Sequence, residues 1–170
     1  MYTILCSLAR SRALPLLRSS FTTRPQVAGA HDCDINVVSW NRRAPHLLVS
    51  GADDGSFKIW DLKNFRADAP VAHFKWHRDQ ITSVQWHPHE ESTLAVASAD
   101  DSISVWDMSL EPDDEVPAHG AELEDDVPPQ LLFVHQGQVE VKEVHFHPQI
   151  SSMLFSTAAD GFNAFQPANL

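Results

Sequence analysis

Most of the stretch from Ala30 to Leu62 is written out a second time from Trp76 to Met108, and that duplication constrains the fold more than any other feature of the chain. Aligned on Trp60 and Trp106, His31 and His77 each lie 29 residues upstream, Trp40 and Trp86 lie 20 upstream, and Asp54 and Asp100 lie 6 upstream, giving a period of 46 residues. A looser third copy runs from Val134 to Pro167. It keeps His135, Phe146 in the place of Trp40 and Trp86, an Asp160-Gly161 turn, and Phe165 where a Trp is expected. A unit of this size that recurs is one supersecondary motif. It stacks on its neighbours because a single copy cannot bury its own apolar face.

Within a copy the pattern is that of strands. Ile35 to Trp40 alternates imperfectly between apolar and polar, as in a strand covered on both faces. Asn41 to Pro45 breaks it, and His46 to Ser50 resumes as a second strand. Asp53-Asp54-Gly55 is a hairpin signal, with Gly55 supplying the positive φ of a tight turn. Phe57 to Trp60 is a third strand and Val71 to Phe74 a fourth, so each copy is one antiparallel four-stranded sheet and the expected fold class is all-β.

With those residues in view, the units resemble WD repeats, whose sheets are the blades of a β-propeller. The resemblance implies about three blades in an incomplete open propeller: residues 30–74, residues 75–134, and a partial third blade over residues 135–170. It also implies a buried polar network in each blade. In the first blade the network residues are His31, Ser50, Asp54 and Trp60, linked from indole N–H to hydroxyl to imidazole to carboxylate. The second blade supplies His77, Asp100 and Trp106, but Val96 stands at the position of Ser50, so the network is expected to be complete only in the first. Ser, His and Asp together also suggest a nucleophilic triad. Recurrence at blade spacing, a capping Trp and the lack of a strand-to-helix nucleophile elbow favour a structural role.

Charge is unevenly distributed. Residues 1–30 hold four of the 12 basic residues (Arg10, Arg12, Arg18, Arg24) and no acid, leaving 8 bases against 23 acids and a net of −15 over the other 140 residues. An acidic body repels phosphates, which points to basic partners rather than direct contact with nucleic acid. The first 29 residues differ in kind from the rest: rich in Arg, Ser and Leu, they have the composition of a mitochondrial transit peptide, or form an unstructured foreign leader on a truncated chain. Between the second and third copies, residues 111–127 carry eight acids, no Lys or Arg, and two Pro. Such a segment resists compaction and is expected to project as a disordered loop. Its Glu111, Asp113, Asp114, Glu115, Glu122, Glu124, Asp125 and Asp126 are the candidate contacts for a basic partner.

Cys6 and Cys33 form no metal-binding pair, and the His-Pro dipeptides at His87 and His147 repeat one turn of one motif rather than building a zinc site. No phosphate loop is present and no apolar run reaches the length of about 20 residues that crosses a bilayer. No cofactor, no membrane contact and no enzymatic reaction are expected.

Longer strings narrow the resemblance. His31-Asp32-Cys33-Asp34-Ile35-Asn36-Val37-Val38-Ser39-Trp40, Ile81 to Pro88, the acidic insert and Pro129 to Gly137 together are similar to the C-terminal third of the glutamate-rich WD-repeat family. That resemblance implies a nuclear and nucleolar scaffold for ribosome biogenesis and histone binding, with histones and ribosomal proteins as partners. Some relatives also dock on a ubiquitin-ligase adaptor through a Trp-Asp-x-Arg box. Here Trp60-Asp61-Leu62-Lys63 has Lys for Arg, which lacks the planar fork of a guanidinium. Family members close a ring of about seven blades. Three blades leave two open flanks, so marginal folding or aggregation of the isolated chain is expected.

Overall fold

The computed structural model describes residues 28–66, 69–110 and 127–168. Three antiparallel sheets make up this part. The first contains β1 (Ile35–Trp40), β2 (Leu47–Ala52), β3 (Ser56–Asp61) and β4 (Ala72–Lys75). The second contains β5 (Ile81–Trp86), β6 (Thr93–Ser98), β7 (Ser102–Asp107) and β8 (Leu131–Gln136), and the third β9 (Val141–Phe146), β10 (Leu154–Ala158) and β11 (Gly161–Phe165). In each sheet the strands pair in chain order, even where β7 and β8 are joined through the long acidic insert. Among the described residues the structure is all-β apart from a 3-10 turn at Leu62–Asn64. Most of the expected leader and all but the last residue of the acidic insert lie outside the described residues.

The 46-residue period is reproduced in the hydrogen-bond register. Ile35 pairs with Ala52 and Trp40 with Leu48, and 46 residues later Ile81 pairs with Ser98 and Trp86 with Leu94. All three sheets slip register at the same place, between Ile35 and Val37, between Ile81 and Ser83, and between Val141 and Glu143. A bulge there adds one residue to the innermost strand and increases its twist. The turn after the second strand also recurs. Gly55 has a φ of +77°, and Asp101, 46 residues on, takes the same left-handed conformation at +67°, which Asp tolerates better than most residues.

Each two successive sheets enclose a core. Between the first and second lie Val49, Phe57, Ile59, Ile81, Val84, Trp86, Leu94, Val96 and Trp106. Between the second and third lie Ala95, Ala97, Ile103, Val105, Val141, Val144, Phe146 and Leu154. Side chains alternate across a strand, so β6 sends Leu94 and Val96 into one core and Ala95 and Ala97 into the other. That is why its sequence reads as an almost continuous apolar run with every residue buried. The first core is reinforced by rings: Trp106 meets Phe57 edge-on at 5.1 Å and Phe74 at 4.8 Å, pairs that each add about 0.5–1.5 kcal/mol beyond their buried area. Gly51 marks a close approach of the two sheets, where a Cβ would lie 2.5 Å from Ile81 Cγ2.

Candidate functional site

In the first sheet the loop before β1 lays His31 against β2 and β3. Its Nε2 is 2.8 Å from Ser50 Oγ, and the Trp60 indole N–H donates to the same oxygen at 2.8 Å. Asp54 does not touch the imidazole directly. Ser56 stands between them, its hydroxyl donating to Asp54 Oδ1 at 2.6 Å and its oxygen 3.3 Å from His31 Nδ1. Donor accounting fixes the direction of the chain. Ser56 has given its only proton to the carboxylate, so it accepts from His31 Nδ1–H; Nε2 is then the acceptor for Ser50, whose oxygen accepts from the indole. This needs a neutral imidazole. Burial, aided by the Lys58 ammonium, lowers the His31 pKa from 6.5 to about 4. Burial opposes ionisation of Asp54, but the hydrogen bonds from the Ser56 hydroxyl and amide outweigh it and bring its pKa to about 2.

The second sheet completes the same circuit with a different hydroxyl. The Trp106 indole N–H donates to Ser104 Oγ at 2.7 Å, and that oxygen is 2.7 Å from His77 Nε2. His77 Nδ1 lies 3.0 Å from Asp100 Oδ2, and the carboxylate also accepts from the Ser102 hydroxyl at 2.6 Å and the Arg78 amide at 3.0 Å. Those three donors outweigh the effect of burial and hold the Asp100 carboxyl well below the usual range. The sequence expectation is therefore corrected at two points: in the first sheet Ser56 links the imidazole to the carboxylate, and in the second Val96 does not break the network, because Ser104 replaces the missing hydroxyl from the neighbouring strand. Ser98 instead donates to the backbone carbonyls of Asp79 and Gln80. The signal that would have found Ser104 is its position opposite Val96 in the ladder.

The third sheet is a reduced version. Ser156 donates to Gln138 Oε1, and Phe165 in the Trp position brings no N–H to satisfy. Gln138 thus takes the place assigned to a histidine. His135, expected there, sits in β8 of the second sheet, stacked on Phe165 with ring centroids 4.0 Å apart and 5° between planes.

Two further histidines, His87 and His147, serve turns. His87 Nδ1 accepts the amides of His89 and Glu90, and His147 Nδ1 accepts those of Gln149 and Ile150, one device at equivalent turns. Among the described residues no group of three or more His, Cys, Asp or Glu side chains is placed to hold a metal ion. Trp60 of the Trp60-Asp61-Leu62-Lys63 segment is buried, while Asp61 accepts the Lys63 amide at 2.8 Å and so caps the 3-10 turn. The candidate insert residues Glu111, Asp113, Asp114, Glu115, Glu122, Glu124, Asp125 and Asp126 lie outside the described residues.

A charge pattern not visible in the sequence emerges from the topology. Because β1 starts opposite the end of β2, Asp32, Asp34, Asp53 and Asp54 gather at one end of the first sheet. Asp79, Asp100 and Asp101 occupy the same end of the second, and Glu140 and Asp160 that of the third. The ends are contiguous, since the Glu140 amide donates to Asp101 Oδ1 at 2.5 Å and Asn36 donates to the Ile81 carbonyl at 3.4 Å. All of these carboxylates except the half-buried Asp100 are exposed, and cations beside them are few: Lys75 lies 3.7 Å from Asp54, Lys142 3.0 Å from Glu140, with Arg78 nearby. The insert leaves from the opposite end, between Leu110 and Val127, where Gln130 donates to the Leu110 carbonyl at 2.9 Å.

Comparison with known proteins places this geometry. The family model "WD domain, G-beta repeat" matches residues 23–61 and 68–107, the first match beginning before the expected edge of the first blade. Ribosome assembly protein rrb1 of Schizosaccharomyces pombe is 46% identical over 188 residues, covering 81% of this chain and 39% of the relative. Glutamate-rich WD repeat-containing protein 1 of Dictyostelium discoideum is 52% identical over 231 residues, covering 82% of this chain and 48% of the relative. The chain thus spans less than half the length of these two relatives. Among solved structures, a chain in "Crystal Structure of Mitotic Checkpoint Complex" superposes with a TM-score of 0.65 at 19% identity, covering 85% of this chain and 40% of that one, which is a likeness of fold alone. The repeated register, the paired His–Ser–Trp networks and the matched segments lead to one conclusion: this is a WD40-repeat chain, with blades of the WD-repeat propeller fold.

Proposed function

We propose that the chain is a non-catalytic docking scaffold for basic proteins, histones or ribosomal proteins, acting in ribosome assembly in the nucleus and nucleolus. The observation that supports this most is the row of exposed carboxylates running across one end of all three sheets, on a body whose acids far outnumber its bases. Such a rim raises the local concentration of a cationic partner and speeds encounter, while repelling nucleic acid. The names of two relatives, one a ribosome assembly protein, agree with the reading. A role without chemistry is supported by the Ser50 and Ser104 hydroxyls, each buried and already engaged by an indole and an imidazole.

The test is binding of the full chain to core histones and to ribosomal proteins between about 50 and about 300 mM salt, a range over which screening of surface charge changes strongly. A variant carrying Asp34→Lys, Asp53→Lys and Asp79→Lys separates the rim from the insert, and deletion of residues 111–127 does the reverse. Binding that weakens with salt and with the rim variant is expected. Binding indifferent to both changes would remove the proposal.

The alternative reading, a substrate-receptor module of a ubiquitin ligase, rests on the exposed Lys63 beside Asp61, the cap of the 3-10 turn. Adaptor binding abolished by Lys63→Glu with the rim intact would favour it instead.

A further inference from the structure

The two interfaces between successive sheets differ at one position. In the first sheet Phe57 of β3 faces Phe74 of β4, and in the second Ile103 of β7 faces His135 of β8, one repeat further on. Phe74 and His135 are thus equivalent, and each meets the ring that ends the third strand of the next sheet. Those rings are equivalent too, since Leu94 faces Trp106 and Leu154 faces Phe165. Phe74 packs on Trp106 with centroids 4.8 Å apart. His135 lies flat on Phe165 at 4.0 Å, and Phe133, two residues before it and on the same side of β8, meets the same ring at 6.3 Å. An ionisable ring therefore occupies the place that the first interface gives to a hydrocarbon. The contact lies between two adjacent sheets and owes nothing to either open flank.

The surroundings of His135 favour the neutral ring. Its Nε2 is buried and meets no hydrogen-bond partner among the described residues. A neutral imidazole with its proton on Nδ1 leaves only a lone pair there, whereas protonation sets a charged N–H without an acceptor in the same place. Counter-charge is lacking as well. Neither β8 nor β11 carries another ionisable residue, and β10 carries none. On β7 the ionisable residue is Asp107, four positions beyond Ile103. On β9 Lys142 pairs with Glu140 at 3.0 Å and His145 with Glu143 at 3.8 Å, and at the turns Asp101 accepts the Glu140 amide while Asp160 precedes β11. Burial is accordingly what lowers the His135 pKa from 6.5. We infer that His135 is an acid-sensitive latch between the second and third sheets: neutral, it holds Phe165 and keeps β8 and β11 together; protonated, it leaves the stack and lets the third sheet open from the second. The innermost strands act as the hinge, where the Phe146 amide donates to Gln85 Oε1 at 2.5 Å. Because the closed form favours the neutral ring, the latch holds above pH 6.5 and is lost as the pH falls below that value. The first interface, latched by Phe74, has no such dependence at this position.

Amide hydrogen exchange of the full chain, followed by NMR and corrected for the pH dependence of the intrinsic rate, reads the latch strand by strand. His135→Phe gives the second interface the chemistry of the first. Between about pH 7.5 and about pH 5.5, protection in β10 and β11 is expected to fall more in the wild type than in this variant, by up to about tenfold per pH unit, the limit for one proton. Protection in β2 and β3 should depend on pH alike in both chains, which separates a local opening from a general loss of stability. Phe74→His makes the converse exchange and should bring the same acid sensitivity to β3 and β4. Equal pH dependence of β10 and β11 in the wild type and His135→Phe would overturn the inference, as would a difference spread equally through the first sheet or an acid-insensitive Phe74→His. So would protection that rises in acid, the sign that attraction between an imidazolium and the Phe165 face would give.

Discussion

Ser104 stands directly opposite Val96 in the β6–β7 ladder, and it carries the hydroxyl that the first sheet places on the other strand of the equivalent pair, where Ser50 faces Lys58. The polar circuit is conserved in geometry between the two sheets while the residue that supplies its central oxygen has crossed from one strand to the next. His and Trp reach that oxygen at 2.7–2.8 Å in both.

Ser104→Ala removes the partner of two buried groups, the His77 Nε2 acceptor and the Trp106 indole donor. Leaving buried polar atoms unmatched costs about 1–3 kcal/mol each, so a loss of about 2 kcal/mol or more in urea unfolding is expected. Restoring the first-sheet arrangement with Val96→Ser in the same chain should recover part of that loss. The two substitutions are therefore expected to be strongly non-additive, and additivity in a double-mutant cycle would show that the hydroxyls are not interchangeable.

Gly55→Ala is expected to destabilise by more than the roughly 1 kcal/mol that a left-handed residue costs, because the new Cβ would also meet the His77 carbonyl oxygen at 2.2 Å. That carbonyl belongs to the backbone of the next blade's loop and cannot swing aside as a flexible side chain would. Thermal melts of the variant would measure the effect, and an unchanged melting temperature would contradict the close approach of the two blades at this turn.

Acid should destabilise the fold in two stages. Burial first, then Lys58, lowers His31 from 6.5 to about 4, and burial also lowers His73, His87 and His135. Between pH 6.5 and 4 the unfolded chain binds protons that the folded chain does not, so stability is full above 6.5 and declines as pH falls toward 4. A second decline begins below pH 3.8 as the pH approaches the folded-state value of about 2 for Asp54, whose ionised form the fold favours, and Asp100 adds to it in the same direction. Unfolding free energies measured from pH 7 downward should fall in both windows, and His31→Gln should flatten the first.

Much of this architecture was legible in the sequence because a 46-residue period fixes every pairing at once: the strands, the turns and the pairing of Trp40 with Leu48 recur at Trp86 and Leu94. Trp60, His31 and Asp54 could be matched to Trp106, His77 and Asp100 by offset alone. Ser104 could not, since offset compares positions along the chain while the hydroxyl had moved across it, a displacement that only the ladder reveals. Gln138 was hidden for a related reason. The third copy changes its loop length, so His135, which the repeat aligns with His31 and His77, belongs to the strand before, and Gln138 is the residue that meets Ser156. The acidic rim was invisible because its carboxylates come from six separate turns and loops, gathered only by the sheet topology.

The indole N–H protons report most directly on whether the polar circuits fasten the blades. In hydrogen-exchange NMR of the full chain, Trp60 and Trp106, buried and donating to Ser50 and Ser104, are expected to exchange orders of magnitude more slowly than the exposed Trp40. Ser50→Ala should abolish the protection at Trp60 while leaving Trp106 protected. Exchange at Trp60 and Trp106 as fast as at Trp40 would mean that the circuits are not formed in solution, and that these residues do not hold the sheets together.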